Sequence, residues 1–196
     1  IPPRFEYLPA TVQSLKKITK CSEIWVNIPK SYNRFPDWDG VLPWSADDLG
    51  VIINRECEDI GPGTSTFGPL GKTNATELIS VDDDTIYPTN LAHSLLECYI
   101  RNNKSSAWGL SGFNFGDYFK GIYPRGNGTS VDVLEGYGAC LYDINWLLQI
   151  KEEFNELLSV SMYGDDVLIS NLLASRGIER HTLYKTECNI QHLSQL

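Results

Sequence analysis

The sequence predicts one α/β domain, a largely parallel sheet with helices packed against it. Three observations carry that expectation. The chain has 196 residues, within the single-domain range, and a chain of that size buries roughly 70% of its unfolded surface. Hydrophobic residues make up 42% and charged residues 21%, ordinary globular proportions that exclude disorder, collagen and coiled coil. Short β-rich runs alternate with longer runs of helical spacing, mostly one for one, as strands joined by crossover helices do.

Taken in order, residues 7–18 read as a helix, with Pro9 near its first turn and Val12, Leu15 and Ile18 at helical spacing. Residues 22–28 alternate as a strand does, and Pro29 closes it. Residues 29–47 hold Pro36, Pro43, Trp38 and Trp44 and read as an ordered loop or a short helical excursion. A second strand covers 49–54, a Gly/Pro/Thr-rich connection 59–76, and a third strand 77–81. Residues 89–102 form a helix with Leu91, Leu95, Leu96 and Tyr99 on one face. A strand at 106–115 leads to a Gly-rich loop at 116–131, long enough for a lid, and a short strand at 138–141. Asp143 caps a helix through residue 158; another starts at Gly164 or Asp165 and stops at Gly177. Residues 180–184 make a last strand before a polar tail.

Charge narrows the function classes. With 16 Lys+Arg against 25 Asp+Glu the formal charge is −9, which repels nucleic-acid phosphates and anionic lipid and suits a divalent cation. The five cysteines are widely spaced with no CxxC, so neither a zinc finger nor a disulfide framework is expected, and free thiols fit a reducing compartment. No apolar run approaches the ~18 residues of a membrane span.

The chemistry concentrates where an apolar strand delivers Asp82-Asp83-Asp84. In open α/β sheets the functional crevice lies beyond the carboxyl ends of strands. Alternation sends Asp82 and Asp84 one way and Asp83 the other. Adjacent carboxylates repel unless a cation neutralises them or some take up protons, and oxygen ligands suit Mg²⁺ or Mn²⁺ clamping a diphosphate. A second pair, Asp165 and Asp166, follows Tyr163-Gly164. That four-letter run matches a viral RNA polymerase signature, but the chain is too short for fingers and thumb and lacks a basic template channel. The pair also sits where acids stabilise a helix start. A Mg²⁺ phosphatase of the haloacid-dehalogenase kind is the competing enzyme; its DxDx(T/V) motif would need Thr or Val where Ile86 stands. A noncatalytic sugar-binding module is the third class.

Six segments in order resemble the small GT-A glycosyltransferases, most of all the domains that build chlorella-virus capsid glycans. They are Ile1-Pro2-Pro3-Arg4-Phe5, Ile24-Trp25-Val26-Asn27-Ile28-Pro29, Glu58-Asp59-Ile60-Gly61-Pro62, Val81-Asp82-Asp83-Asp84-Thr85-Ile86-Tyr87-Pro88, Val133-Leu134-Glu135-Gly136-Tyr137-Gly138 and Gly164-Asp165-Asp166-Val167. The resemblance implies a single Rossmann-like GT-A domain over 1–196, with a first strand just upstream of Ile1 ending in the loop that receives uridine. It implies a UDP-sugar donor, a glycan or glycoprotein acceptor, Mn²⁺ or Mg²⁺ as cofactor, and the cytoplasm of an infected host cell as its place. Asp84 and Asp82 match the metal-binding positions, with His181 or His192 as a further ligand. Ile1, Pro2, Arg4, Asp59, Gly61, Asp82 and Asp83 fall on the donor side. Relatives carry Gly-Pro-x-Thr-Lys where this chain has Gly61-Pro62-Gly63-Thr64-Ser65, which leaves Lys72 as the candidate for the missing lysine. Glu135, Gly136, Tyr137 and Trp108 would wall the acceptor side. Asp165 or Asp166 would face the anomeric carbon or acceptor, as base in an inverting enzyme or as a positioning, charge-stabilising group in a retaining one; the viral resemblance favours retention.

Overall fold

Strand side chains point alternately to two faces, and in this protein the two faces meet different helices. The structure is a computed structural model and describes residues 1–118, 128–158, 164–183 and 190–193. A 3₁₀ turn at Pro2–Arg4 leads into α1 (Leu8–Leu15), β1 (Trp25–Asn27), α2 (Ala46–Leu49) and β2 (Ile52–Asn54). A second 3₁₀ turn at Gly61–Gly63 continues as α3 (Thr64–Phe67), then β3 (Glu77–Ser80), β4 (Thr85–Ile86) and α4 (Leu91–Arg101). There follow β5 (Ser106–Gly109), β6 (Gly112–Phe113), α5 (Phe115–Tyr118), β7 (Val133–Leu134), β8 (Cys140–Asp143) and α6 (Ile144–Leu158). The last elements are α7 (Asp165–Ser175), β9 (Glu179–Thr182) and β10 (Gln191–His192).

The main sheet has the order β3-β8-β5-β9. Contrary to the expected largely parallel sheet, it is mixed: β8 runs antiparallel to both β3 and β5, while β5 and β9 are parallel. Thus β3, β5 and β9 share one direction and β8 alone opposes it. The cause lies in the connection. A crossover helix, α4, links β3 to β5 and keeps their direction, whereas β8 follows the β6–β7 antiparallel pair and enters from the opposite end.

Leu78, Ala107, Cys140 and Tyr142 project toward α6 and α7, packing with Leu147, Ile150, Phe154 and Leu173. Their strand neighbours Ile79, Trp108 and Leu141 face the other way, onto Leu91, Leu95 and Tyr99 of α4. This explains the helical spacing seen at 89–102. The 106–115 run does not stay one strand: β6 leaves the sheet to pair with β7, and a Cβ on Gly112 would lie 2.5 Å from the Val133 carbonyl. Nor does a strand begin at Leu49. Ser45 and Asp48 form a reciprocal capping box, α2 takes up Leu49, and Gly50 ends it at φ 57° before β2 starts. The expected polar tail contains β10, which pairs antiparallel with β4. The proposed lid falls largely on residues 119–127, outside the described residues, as does Tyr184.

β1 pairs in parallel with β2 but, among the described residues, neither β1 nor β3 pairs along its other edge. The two unpaired edges face one another across a slot. Ahead of the two strands, Glu23 Oε2 accepts a hydrogen bond from Thr73 Oγ1 at 2.8 Å. A cavity of about 370 Å³ at that end is lined by Trp25, Leu78, Ile79, Leu91 and Leu141. No helix among the described residues is long and apolar enough to cross a membrane, and the described cysteines Cys21, Cys57, Cys98 and Cys140 form no disulfide.

Candidate active site

The triple-aspartate corner is pinned through its backbone. The Asp82 N–H donates to Tyr87 Oη at 2.8 Å, Thr11 Oγ1 donates to the Asp83 carbonyl at 3.1 Å, and the Leu193 N–H donates to the Asp84 carbonyl at 2.7 Å. That last bond is why β10 matters: it clamps the corner from the carboxyl-terminal side. The same strand sets His192 opposite Thr85, with Nδ1 2.9 Å from Thr85 Oγ1.

Arg4, at the end of the proline-initiated turn, spans two of the three carboxylates. Its Nη2 lies 2.9 Å from Asp83 Oδ1 and its Nη1 3.2 Å from Asp84 Oδ2, and the Ile1 nitrogen is 2.5 Å from Asp83 Oδ2. Among the described residues, Asp82 has no ion-pair partner of its own. Burial pushes its carboxyl up to about 7; Arg4 pulls it down, while Asp83, Asp84 and Asp166 push it up.

Asp166 enters from the start of α7. Its carboxylate accepts the Gly136 N–H, which lowers its pKa, but burial above all, then Asp165 and Glu135, push it up to about 7. Burial also raises Asp165. The segment holding Asp166 is itself anchored: Ser111 Oγ donates to Glu135 Oε2 at 2.5 Å and lies 3.0 Å from Tyr137 Oη. The Tyr137 and His192 rings then sit 5.7 Å apart, closing a circuit from β3 through α7 and back to β10. A Cβ on Gly136 would stand 2.8 Å from Asp166 Oδ1, so only glycine lets the backbone approach this closely. A Gly136→Ala chain is expected to keep its helical content but lose about 1–3 kcal/mol of stability, because the added Cβ must push the Asp166 carboxylate aside. Circular dichroism and thermal unfolding check the two halves separately.

A cavity of about 250 Å³ opens from this corner, lined by Ile1, Arg4, Arg34, Asp59, Gly61 and Asp83. Asp59 shapes its far side, accepting the Asn33 N–H at 2.6 Å and the Gly61 N–H at 3.1 Å. Pro2 contributes by starting the turn that carries Arg4.

Three expected residues are held elsewhere. Lys72 Nζ donates to Asn54 Oδ1 at 2.6 Å, under β2. Trp108 packs in the α4-side core and stacks on His181 at 4.9 Å, with 22° between the ring planes. His181 Nε2 is 2.9 Å from Glu179, so of the two histidines it is His192 that stands beside the aspartates. Ser111 and Arg34 escaped the sequence reading, and Thr85 and Tyr87 entered it only as part of the aspartate segment, with no role of their own. Ser111 follows the carboxyl end of β5, a position where strand topology alone would have flagged it.

A hard divalent cation suits the oxygen-rich corner, where Asp82 has no ion-pair partner of its own among the described residues. Among the described residues, no group of three or more His, Cys, Asp or Glu could hold a metal as placed. A cation here would take few protein ligands and fill its shell with water and phosphate oxygens, the usual habit of Mg²⁺. No family model matches the chain, and no curated protein sequence matches it.

Proposed function

We propose that this chain is a metal-dependent glycosyltransferase of the GT-A kind, moving a sugar from a UDP-sugar to a glycan or glycoprotein acceptor, in viral capsid glycan synthesis. The observation that carries this is the meeting of two acid pairs, one ending β3 and one starting α7, beside a cavity with Arg4 in its wall. The six ordered segments support it too, since their residues come from distant parts of the chain yet share this site.

In this reading Asp82 and Asp84 would hold Mn²⁺ or Mg²⁺, with water and phosphate oxygens filling its shell and His192 nearby on β10, and the ion when bound would supply Lewis-acid stabilisation of the departing diphosphate. Arg4 binds phosphate oxygens. Asp59 and the Gly61 backbone line the donor cavity. Glu135 and Tyr137, fixed by Ser111, orient the acceptor. Asp166, with a carboxyl near 7, is suited to exchange a proton with an acceptor hydroxyl at neutral pH.

The test is a panel of UDP-sugars with and without Mn²⁺, followed by NMR that resolves the anomer. Slow hydrolysis of one donor, dependent on Mn²⁺, is expected. Phosphate release from phosphomonoesters instead would make the chain a phosphatase. Absence of both hydrolysis and metal-dependent UDP binding would make it a noncatalytic module.

A further inference from the structure

We infer that Arg4 serves as the resting counter-ion of the aspartate corner, so that metal and nucleotide enter together: the diphosphate draws the guanidinium off Asp83 and Asp84, and the metal takes the vacated Asp84 together with Asp82. This regulation of the site rests on the nucleotide-sugar reading above.

The geometry points to exchange because the two sides differ in freedom. All three aspartates are fixed through their backbones by Tyr87, Thr11 and Leu193. The Asp84 side chain is 5% exposed and its Oδ2 faces Arg4 Nη1 at 3.2 Å, so a cation taking that oxygen must displace the guanidinium. Arg4 also has a fixed backbone, its N–H bonded to the Ile1 carbonyl at 2.9 Å and its carbonyl accepting from Tyr7 at 3.0 Å. Its side chain is another matter: it is 32% exposed and borders the 250 Å³ cavity. A swing of the guanidinium therefore needs no change in the turn.

The donor inventory of Arg4 agrees. Nη1 and Nη2 face carboxylates, but Nε is buried without a hydrogen-bond acceptor among the described residues. Guanidinium favours paired acceptors across its fork, and a phosphate offers more oxygens than the two carboxylates reach. A buried donor left unpaired is a cost that such a partner would remove. Meanwhile a divalent ion placed beside Arg4 in its present position would meet like charge in a poorly solvated pocket. Each ligand thus relieves an obstacle to the other, and the linkage must be reciprocal.

Mn²⁺ binding measured directly by electron paramagnetic resonance, with and without UDP, tests this in the intact chain and in Arg4→Gln and Arg4→Lys. In the unaltered chain UDP should tighten Mn²⁺ binding about tenfold or more, typical of such coupling. Arg4→Gln should bind Mn²⁺ alone about tenfold tighter, with most of the UDP effect gone, and Arg4→Lys, which keeps the charge but not the fork, should bind Mn²⁺ alone like the unaltered chain with a smaller UDP effect. Arg4→Gln binding Mn²⁺ no tighter, or keeping the full UDP effect, overturns the exchange. Tighter Mn²⁺ binding in Arg4→Gln with no UDP binding by any chain would support Arg4 as counter-ion and remove the nucleotide reading. Failure of every chain to bind Mn²⁺ removes both. Thermal unfolding identifies a misfolded Arg4→Gln, in which case Arg4→Lys decides: Mn²⁺ binding unaffected by UDP in that variant counts against the exchange.

Discussion

An Asp84→Asn chain is expected to lose metal-dependent UDP affinity by about a hundredfold or more while keeping its fold. Losing roughly 3 kcal/mol of a charged contact is two decades of affinity, and Asn cannot supply the negative oxygen a hard cation requires. The backbone bond from Leu193 to the Asp84 carbonyl is untouched by the substitution. Arg4 retains Asp83 as a partner at 2.9 Å, so the guanidinium is not left buried and unpaired. Asp83→Asn is the informative contrast. Asp83 faces the Ile1 nitrogen and Arg4, so its loss should loosen the amino-terminal turn and weaken UDP binding with or without metal. Calorimetric titration of UDP in Mn²⁺ and in chelator separates the two behaviours. Equal metal dependence in Asp84→Asn and the unaltered chain would remove Asp84 from the ligand set.

Much of the corner was legible because its signal is local. An apolar run ending in three acids needs only strand alternation to be read, and the acids opening α7 need only the preference of helix starts for negative charge. Their convergence is not local. It depends on β8 sliding between β3 and β5 and on α7 packing over β7, neither of which leaves a mark in spacing. The direction of β8 was missed for the same reason: alternation of strands with helices speaks only for strands joined by crossovers. Trp108 shows the opposite hazard. An aromatic at the end of a strand reads as a sugar platform, yet its parity places it with Ile79 and Leu141 against α4. The choice between His181 and His192 turned on a two-residue strand in what read as a polar tail, and pairing with β4 is what brings His192 beside Asp84.

An Asp166→Asn chain is expected to be slower and more stable, and the pH dependence of the gain identifies its cause. The folded protein holds the Asp166 carboxyl at about 7 against an ordinary 3.8. Between those values the folded state keeps a proton that the unfolded state has released, so stability falls as pH rises from about 4 to about 7 and is level above. Asparagine removes that slope and can still accept the Gly136 N–H through its amide oxygen. It forgoes the favourable interaction of a carboxylate with the start of α7, about 0.3–1 kcal/mol. That is less than the penalty of holding a charge beside Asp165 and Glu135. A net gain of about 1–3 kcal/mol at pH 8 corresponds to roughly 2–12 °C for a chain of this size, shrinking toward nothing near pH 4. Transfer should fall about 10²- to 10⁴-fold, the usual contribution of a positioned proton-exchanging group. Because the proposed donor contacts lie with Arg4 and the β3 corner, UDP affinity in Mn²⁺ should change less than threefold. Thermal unfolding across pH, run beside acceptor-dependent rates, checks both. If melting temperatures coincide at pH 8 and turnover is unimpaired, Asp166 does no more than begin a helix.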